Sequence, residues 1–551
     1  VSLGRAVSVR STAEATILPD PRGAQHYRRL VPAGGEAHRW LAPPGRASSA
    51  PGRWRDALPL VSVVQLTDIH LTDAQSTIRA EFLDRLGDPD SPLRARIGVP
   101  GTYRPQERCT AQVLEAMVQA VRNLGSGPLF GGPLDGVVLS GDVVDNAQEN
   151  ELAWFLALLE GDREVRPDSG DPRRDEGVGG PDCLDERYWH PDPSAGTADL
   201  PRRRFGFPEV PGLFEAARAG FLASGLPIPW WLIPGNHDAL LAGTVPPADW
   251  LRQAATSGWK PTGCRPGADP ARLLVGHDVA PPALRRLVLG GPGRLVAPDP
   301  GRRPFAPERW PGRFEGPFAW DLGPVRFLAL DTVNRDGGWQ GSVDRATLPW
   351  LEQELVAGHR RFLDPSGSWV RTGADPRVFV VVSHHPPECL VNPFRPDPTR
   401  PARVLGDELL ALLARFPNVL LWISGHTHRH RIRFLASPHG SFGIWSITTA
   451  SLLDWPQQGR VLELALDRAG ARLLVASSVL DHLGTPDPRG RPLQDPLTLA
   501  GWSRELAVNT WHRDPAALEP PGRGQLLDRN VVLELALEDP ELLDRLEAPG
   551  R

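Results

Sequence analysis

Lysine is almost missing from this chain. Lys260 is the single one among 61 lysines and arginines, so nearly every cation is a guanidinium. We read this as the codon bias of a GC-rich genome and not as a device for gripping phosphate. Cysteine is scarce too, with four in 551 residues. Cys109, Cys183, Cys264 and Cys389 are widely scattered, and none forms a Cys-x-x-Cys pair. That argues against a zinc ribbon or a thioredoxin motif, and four are too few for a disulfide framework in a chain this long. No apolar run reaches the roughly 18 residues that a membrane-spanning helix needs. Val1 to Pro19 contains Arg5 and Arg10 but no apolar centre, so no signal peptide is read there and a cytoplasmic location is expected. A basic excess is also missing. Net charge is -5 with a pI near 6.3, which offers no positive field for nucleic acid, and none is expected as a partner.

What is present is ordinary in bulk. Hydrophobic residues make 40% and charged residues 23%, the proportions of a globular protein. Sixty prolines and 56 glycines imply many turns and much loop. Residues 1–58 are rich in Pro, Gly and Arg with weak periodicity, and read as an arm packed over the body or as a partly disordered segment. A central domain is expected over 59–484, with irregular insertions at about 161–205 and 243–315. A C-terminal extension at 485–551 is expected to pack on it. No repeat of solenoid length appears.

The informative pattern is a set of five apolar runs, each ending in potential metal ligands. Leu60 to Leu66 reads as a strand and leads to Asp68 and His70. Gly136 to Ser140 leads to Gly141-Asp142. Trp230 to Ile233 leads to Gly235-Asn236-His237-Asp238. Val378 to Val382 leads to His384-His385. Val419 to Ile423 leads to Gly425-His426-Thr427-His428. Helical stretches lie between them, as at 104–124, 151–159, 348–356 and 405–415. A ligand two residues from another on extended chain faces the same side. In an open α/β sheet, ligands bind beyond the carboxyl ends of the strands. Taken singly, each motif has a bland reading as a turn, a strand stop or an Asx turn. Five in one chain, each at a strand end, point to one metal-binding cleft.

These motifs together resemble the calcineurin-like dinuclear metallophosphoesterases, over about residues 60–450. The segment from Asp331 to Leu355 and the run from Thr448 to Arg460 look like the bacterial cyclic-nucleotide-phosphodiesterase-like branch. The nearest likeness is to an uncharacterised actinobacterial group within it. The resemblance implies an α/β fold, a four-layer α/β/β/α sandwich of two mixed sheets with long loop insertions. It implies that Asp68, His70 and His428 hold one divalent metal and that Asn236, His384 and His426 hold a second, with Asp142 bridging. Mn, Fe or Zn suits such donors better than Ca. His237 is expected to face the phosphate and to stabilise charge or protonate the leaving oxygen. Asp238 is expected to orient its ring. His385 is expected to be the neighbour of a ligand, with the reverse assignment to His384 left open. His430 is read as an exposed loop residue. His277, His359, His439 and His482 are read as surface or core residues.

The expected activity is hydrolysis of a phosphodiester or small phosphomonoester by a metal-bound hydroxide at a dinuclear centre. Within that class the alternative is a phosphatase acting on nucleotides or other small molecules. Outside it stands a non-catalytic metal-bound scaffold. A metallo-β-lactamase-like hydrolase lacks support, since its His-x-His-x-Asp-His string is absent. Departures from sister groups narrow the reading. Asp145 stands where purple acid phosphatases have a Tyr, and Asp238-Ala239-Leu240 stands where nucleotidases show Glu-Phe-Asp. Both insertions are expected to gate the cleft.

Overall fold

The computed structural model describes residues 11–21, 27–45, 56–183, 185–192, 199–269, 290–440, 442–512, 517, 519–537 and 540–547. In chain order the strands of its two large sheets are β1 (Arg39–Leu41), β2 (Leu58–Leu66), β3 (Gly136–Leu139), β4 (Trp230–Leu232), β5 (Phe318–Leu322), β6 (Val325–Leu330), β7 (Val378–Ser383), β8 (Val419–Ser424), β9 (Arg431–Ala436), β10 (Gly443–Thr448), β11 (Gln458–Asp467), β12 (Arg472–Asp481) and β13 (Val531–Ala536). One sheet has seven strands in the order β1-β13-β12-β11-β2-β3-β4, and the other has six in the order β5-β6-β7-β8-β10-β9.

Both sheets are mixed. β2, β3 and β4 run parallel to one another, as do β6, β7, β8 and β10. The antiparallel partners β11, β5 and β9 flank these parallel blocks. Parallel strands of one sheet end on the same side, and this brings the five motif-bearing turns together.

The two sheets face each other across an apolar layer containing Val61 and Val63 of β2, Val380 and Val382 of β7, and Leu421 and Ile423 of β8. The outer faces are covered by helices. Val64 and Leu66 of β2 pack with helices α1 (Thr110–Leu124) and α2 (Glu149–Glu160). Val381 and Trp422 pack with α4 (Thr347–Ala357) and α5 (Gly406–Leu413). The short helix α3 (Asp249–Thr256) lies in the second insertion. The result is the expected α/β class, with helix, sheet, sheet and helix layers in succession. β7 and β8 are buried along their whole length, so their sequences read as unbroken apolar runs without alternation.

Gln65 reaches across the central layer. The Gln65 amide donates to Ser140 Oγ and to the Ser424 carbonyl, each at 2.9 Å, and its oxygen accepts from Thr449 Oγ1 at 2.7 Å. It therefore ties β2, β3 and β8 together at the ends that carry the motifs. β1 and β13 show that the seven-stranded sheet draws on segments near both ends of the chain. β1, β5, β9 and β12 lie in stretches that the sequence pattern does not mark as strands. All four cysteines are free. No helix among the described residues is long and apolar enough to cross a membrane.

Candidate metal centre

Seven side chains from five strand ends converge into two groups that share one oxygen. In the first, His428 Nε2 lies 3.3 Å from Asp68 Oδ1 and 3.2 Å from His70 Nε2, and His70 Nε2 lies 3.7 Å from Asp142 Oδ2. In the second, His384 Nε2 lies 3.1 Å from Asp142 Oδ2, 3.1 Å from Asn236 Oδ1 and 3.3 Å from His426 Nδ1. Asp142 Oδ2 stands between the groups. The other oxygen, Oδ1, is occupied at 2.7 Å by the backbone N–H of His237.

The backbone is bent to achieve this. Asp68, His70, Asp142, His426 and His428 all adopt left-handed conformations, with φ of 50°, 47°, 52°, 68° and 52°. Such conformations cost about 1–3 kcal/mol each outside glycine and concentrate at functional sites. Asp and His tolerate them better than most residues. Gly425 serves by its missing side chain. A methyl group there would run into Thr67 Oγ1 and Asp68 Oδ2. The bare backbone lets the His426 N–H reach the Asp68 carboxylate at 2.8 Å.

The donor atoms are oriented from behind. His70 Nδ1 faces Asp145 Oδ1 at 2.9 Å, and His428 Nδ1 faces Asp454 Oδ2 at 2.7 Å. His384 Nδ1 faces the Ser140 carbonyl at 2.9 Å. A proton on each Nδ1 leaves Nε2 of the neutral ring turned inward as a lone pair, the arrangement of metal-ligating imidazoles. The Asn236 amide donates to the Gly243 carbonyl at 3.0 Å, which turns its oxygen into the site. His70 Nε2 and His428 Nε2 lie 3.2 Å apart, close enough to serve one cation once His428 has given up its second proton. The donor set of carboxylate, amide oxygen and imidazole, with no thiolate, therefore fits divalent transition ions.

Electrostatics separates the imidazoles. Burial opposes charge at His384, but the Asp142 carboxylate lifts it to about 9. Burial likewise opposes charge at His428, and Asp68 and Asp454 lift it to about 10. Burial, aided by His384, presses His426 down to about 3. The Arg79 guanidinium holds the Asp145 carboxyl well below the usual range despite burial.

Several residues differ from the sequence expectation. Asp238 does not orient the His237 ring. Its carboxylate accepts four backbone N–H groups, from Gly235 at 2.7 Å, Asp142 at 2.8 Å, Val143 at 2.9 Å and Val144 at 3.1 Å. The ring is held by Asp145 instead, whose carbonyl meets His237 Nδ1 at 2.8 Å. His385 has both nitrogens engaged, by Thr332 Oγ1 at 2.9 Å and the Trp339 carbonyl at 3.1 Å, while His384 turns Nε2 inward. His430 is not exposed. It is fully buried, its Nδ1 accepting from Arg460 at 2.8 Å and from the Ala450 N–H at 3.2 Å. His359 and His482 are buried and hydrogen-bonded, His439 is exposed, and His277 lies outside the described residues.

Asp145 and Asp454 are the residues that sequence reasoning missed. Asp145 carried a signal in its position three residues after Asp142. Asp454 follows β10 by a short run and carried none.

A cleft of about 540 Å³ opens from His70, His237, His426 and His428. Its walls come from residues 77–104 and 241–261. The second insertion therefore contributes, but none of the lining residues lies in 161–205. That first insertion packs elsewhere, for example through Arg108 and Asp175 at 2.8 Å and through Trp189 against Phe214. Its expected gating role is not supported by its position.

No protein-family model and no curated protein matches the chain. Fifteen solved chains match by structure. A dimetal phosphatase from Danio rerio aligns at 13% identity and TM-score 0.33, over 77% of this chain and 99% of that one. The sulfate thiohydrolase SoxB of Thermus thermophilus, in complex with glycerol, aligns at 12% identity and TM-score 0.25, over 77% of this chain and 57% of that one. GAP50, the anchor in the inner membrane complex of Plasmodium, aligns at 11% identity and TM-score 0.21, over 76% and 84%. Likenesses this loose say nothing of what the present chain binds or does.

Proposed function

We propose that this chain is a metal-dependent phosphoric ester hydrolase with two adjacent divalent ions, of the calcineurin-like kind that its motifs resemble. The observation that carries this reading is the pair of donor groups sharing Asp142 Oδ2. Asp68, His70 and His428 would hold one ion, Asn236, His384 and His426 the other, with Asp142 shared between the two groups. When bound, such ions supply Lewis acidity toward phosphate oxygens and attacking water.

The chain's own residues do the rest. Asp68 and Asp142 bring two negative charges against four positive ones, so the loaded centre keeps a net charge of about +2, suited to a phosphate dianion. His237 lines the cleft beside the centre, and its Nδ1 is fixed on the Asp145 carbonyl. With Nδ1 donating there, Nε2 can deliver a proton to the leaving ester oxygen only from the doubly protonated ring, the imidazolium. Asp238 fixes the Asp142 and Gly235 turns against each other.

The test is hydrolysis of p-nitrophenyl phosphate and bis-p-nitrophenyl phosphate with added Mn, beside metal analysis of the same sample. Turnover that tracks two ions per chain is expected. Two ions bound with no turnover of either ester would favour the non-catalytic scaffold.

A further inference from the structure

Taking the hydrolase reading as its premise, we propose that the ester brought to this centre carries an apolar, hydrocarbon-rich alcohol as its organic group. The cleft holds about 540 Å³, within the range of sites for small organic ligands. Its lining includes Ile78, Leu83 and Val99 from one segment and Val245, Trp250 and Leu251 from the other.

Charge on these walls is already spent. Among the described lining residues the guanidinium groups are Arg79 and Arg104. Arg79 is paired with Glu107 at 2.7 Å and with Asp145. Arg104 is paired with Asp454 at 2.8 Å and donates to the Gly101 carbonyl at 2.6 Å. The chain's one lysine, Lys260, is fully buried against Glu81 at 2.8 Å. A second phosphate or a carboxylate on the substrate therefore finds no available counter-charge.

Polar recognition is thin as well. Thr77 Oγ1 donates to the backbone of Ala254 and Ala255 at 2.8 and 2.7 Å, and Thr244 Oγ1 to Ala242 at 3.1 Å. Thr102 Oγ1, Trp250 Nε1 and Arg79 Nε are the buried wall atoms without a hydrogen-bond partner among the described residues. Three such points, two of them N–H donors only, can satisfy a hydroxyl or a carbonyl. A nucleobase edge together with a ribose needs more donors and acceptors than that. At the mouth, Val99 and Trp339 each leave 47% of their surface open, a large apolar exposure inside a cleft. The walls are also braced. Lys260 donates to the Ser76 carbonyl, and with the Thr77 bonds it clasps one wall segment to the other.

The experiment uses the metal-loaded full chain and a series of n-alkyl phosphates from ethyl to octyl, beside nucleoside monophosphates and p-nitrophenyl phosphate. Each added methylene should raise kcat/KM by about three- to fourfold while it finds apolar wall. The nucleotides should do no better than ethyl phosphate. Calorimetry with n-alkylphosphonates should show the same gain per methylene in affinity, and it needs no turnover. Val99→Asp, at an exposed position where folding is not at risk, and Val245→Asp should each flatten the slope.

A flat chain-length profile in an enzyme that turns over p-nitrophenyl phosphate overturns the apolar-alcohol assignment and leaves the hydrolase reading standing. A preference for nucleotides does the same. No turnover of any ester, with the phosphonate affinities still rising with chain length, overturns the hydrolase reading and supports the wall assignment.

Discussion

The two ends of the cleft are built by opposite means. At the metal end every candidate donor follows a β-strand, and the reach of all but His426, whose ring stacks on Trp339, is fixed by hydrogen bonds to backbone or to a second carboxylate. At the far end the walls come from short helices and loops between 77 and 104 and between 241 and 261, and they present mainly apolar side chains. Parallel strands in fixed register set where the donors stand. Irregular segments cannot do that, but they change shape and composition without disturbing the sheets. Chemistry belongs where geometry is enforced, and selectivity where it is free to vary.

The comparison can be broken at either end. Asp142→Asn strikes the metal end hardest, because it weakens the one oxygen common to both groups. It should abolish turnover and lower the metal content below two ions per chain. Wild-type activity with two ions bound would remove Asp142 from its bridging role. Next in size is His237→Ala. General acid help is worth roughly 10²–10⁴ in rate, so kcat on alkyl esters should fall by about that factor with both ions retained. The loss should shrink for p-nitrophenyl esters, whose leaving group hardly needs a proton. An equal loss on both ester types would make His237 an electrostatic clamp, and a lost ion would make it a ligand.

Smaller effects follow from the residues behind the centre. Asp145→Asn removes the carboxylate that orients His70, and metal affinity should fall about 10–100-fold in a chelator competition. Metal uptake should also depend on pH in a set direction. His384 and His428 hold protons at neutral pH, lifted to about 9 and about 10. A ligating imidazole must release its proton. Affinity should therefore rise with pH by about tenfold per unit at each site through neutrality, and level off once those imidazoles are neutral without metal. Titrations between about pH 6 and 8 read the slope, and a flat profile would mean that these imidazoles are not the ligands. The mildest test is at the other end. Lys260→Met leaves Glu81 beneath the wall without its closest partner. The thermal midpoint should drop by several degrees while the metal content holds at two. Loss of metal in that variant would show that wall and centre are not separable.

The metal end was the part open to sequence reasoning. Asp68, His70, Asp142, Asn236, His384, His426 and His428 each follow an apolar run, and strand ends are visible in a one-dimensional pattern. β12 was not, because Ala476-Ser477-Ser478 interrupts its apolar run with small residues that are nevertheless buried. β5 and β9 are partly exposed edge strands with weak alternation. Asp238 was assigned to the wrong partner, since sequence adjacency to His237 says nothing about which way a carboxylate turns in a tight turn. His430 was taken for a loop residue, since its partners Arg460 and Gln458 lie far along the chain. The cleft walls were only half seen. Composition marked both insertions as loop, and only tertiary packing shows that one faces the centre and the other does not.

The carboxylate of Asp238 has a consequence for how the protein opens. It gathers amides from two turns that belong to different strands, one from Gly235 and three from 142–144. Deuterium replaces an amide hydrogen only when its hydrogen bond is broken. These four bonds share one acceptor residue, so they should open together and not by fraying one turn at a time. The strand ends carrying Asp142 and Asn236 then form a single cooperative unit, protected alike and lost alike, before any ion arrives to hold them.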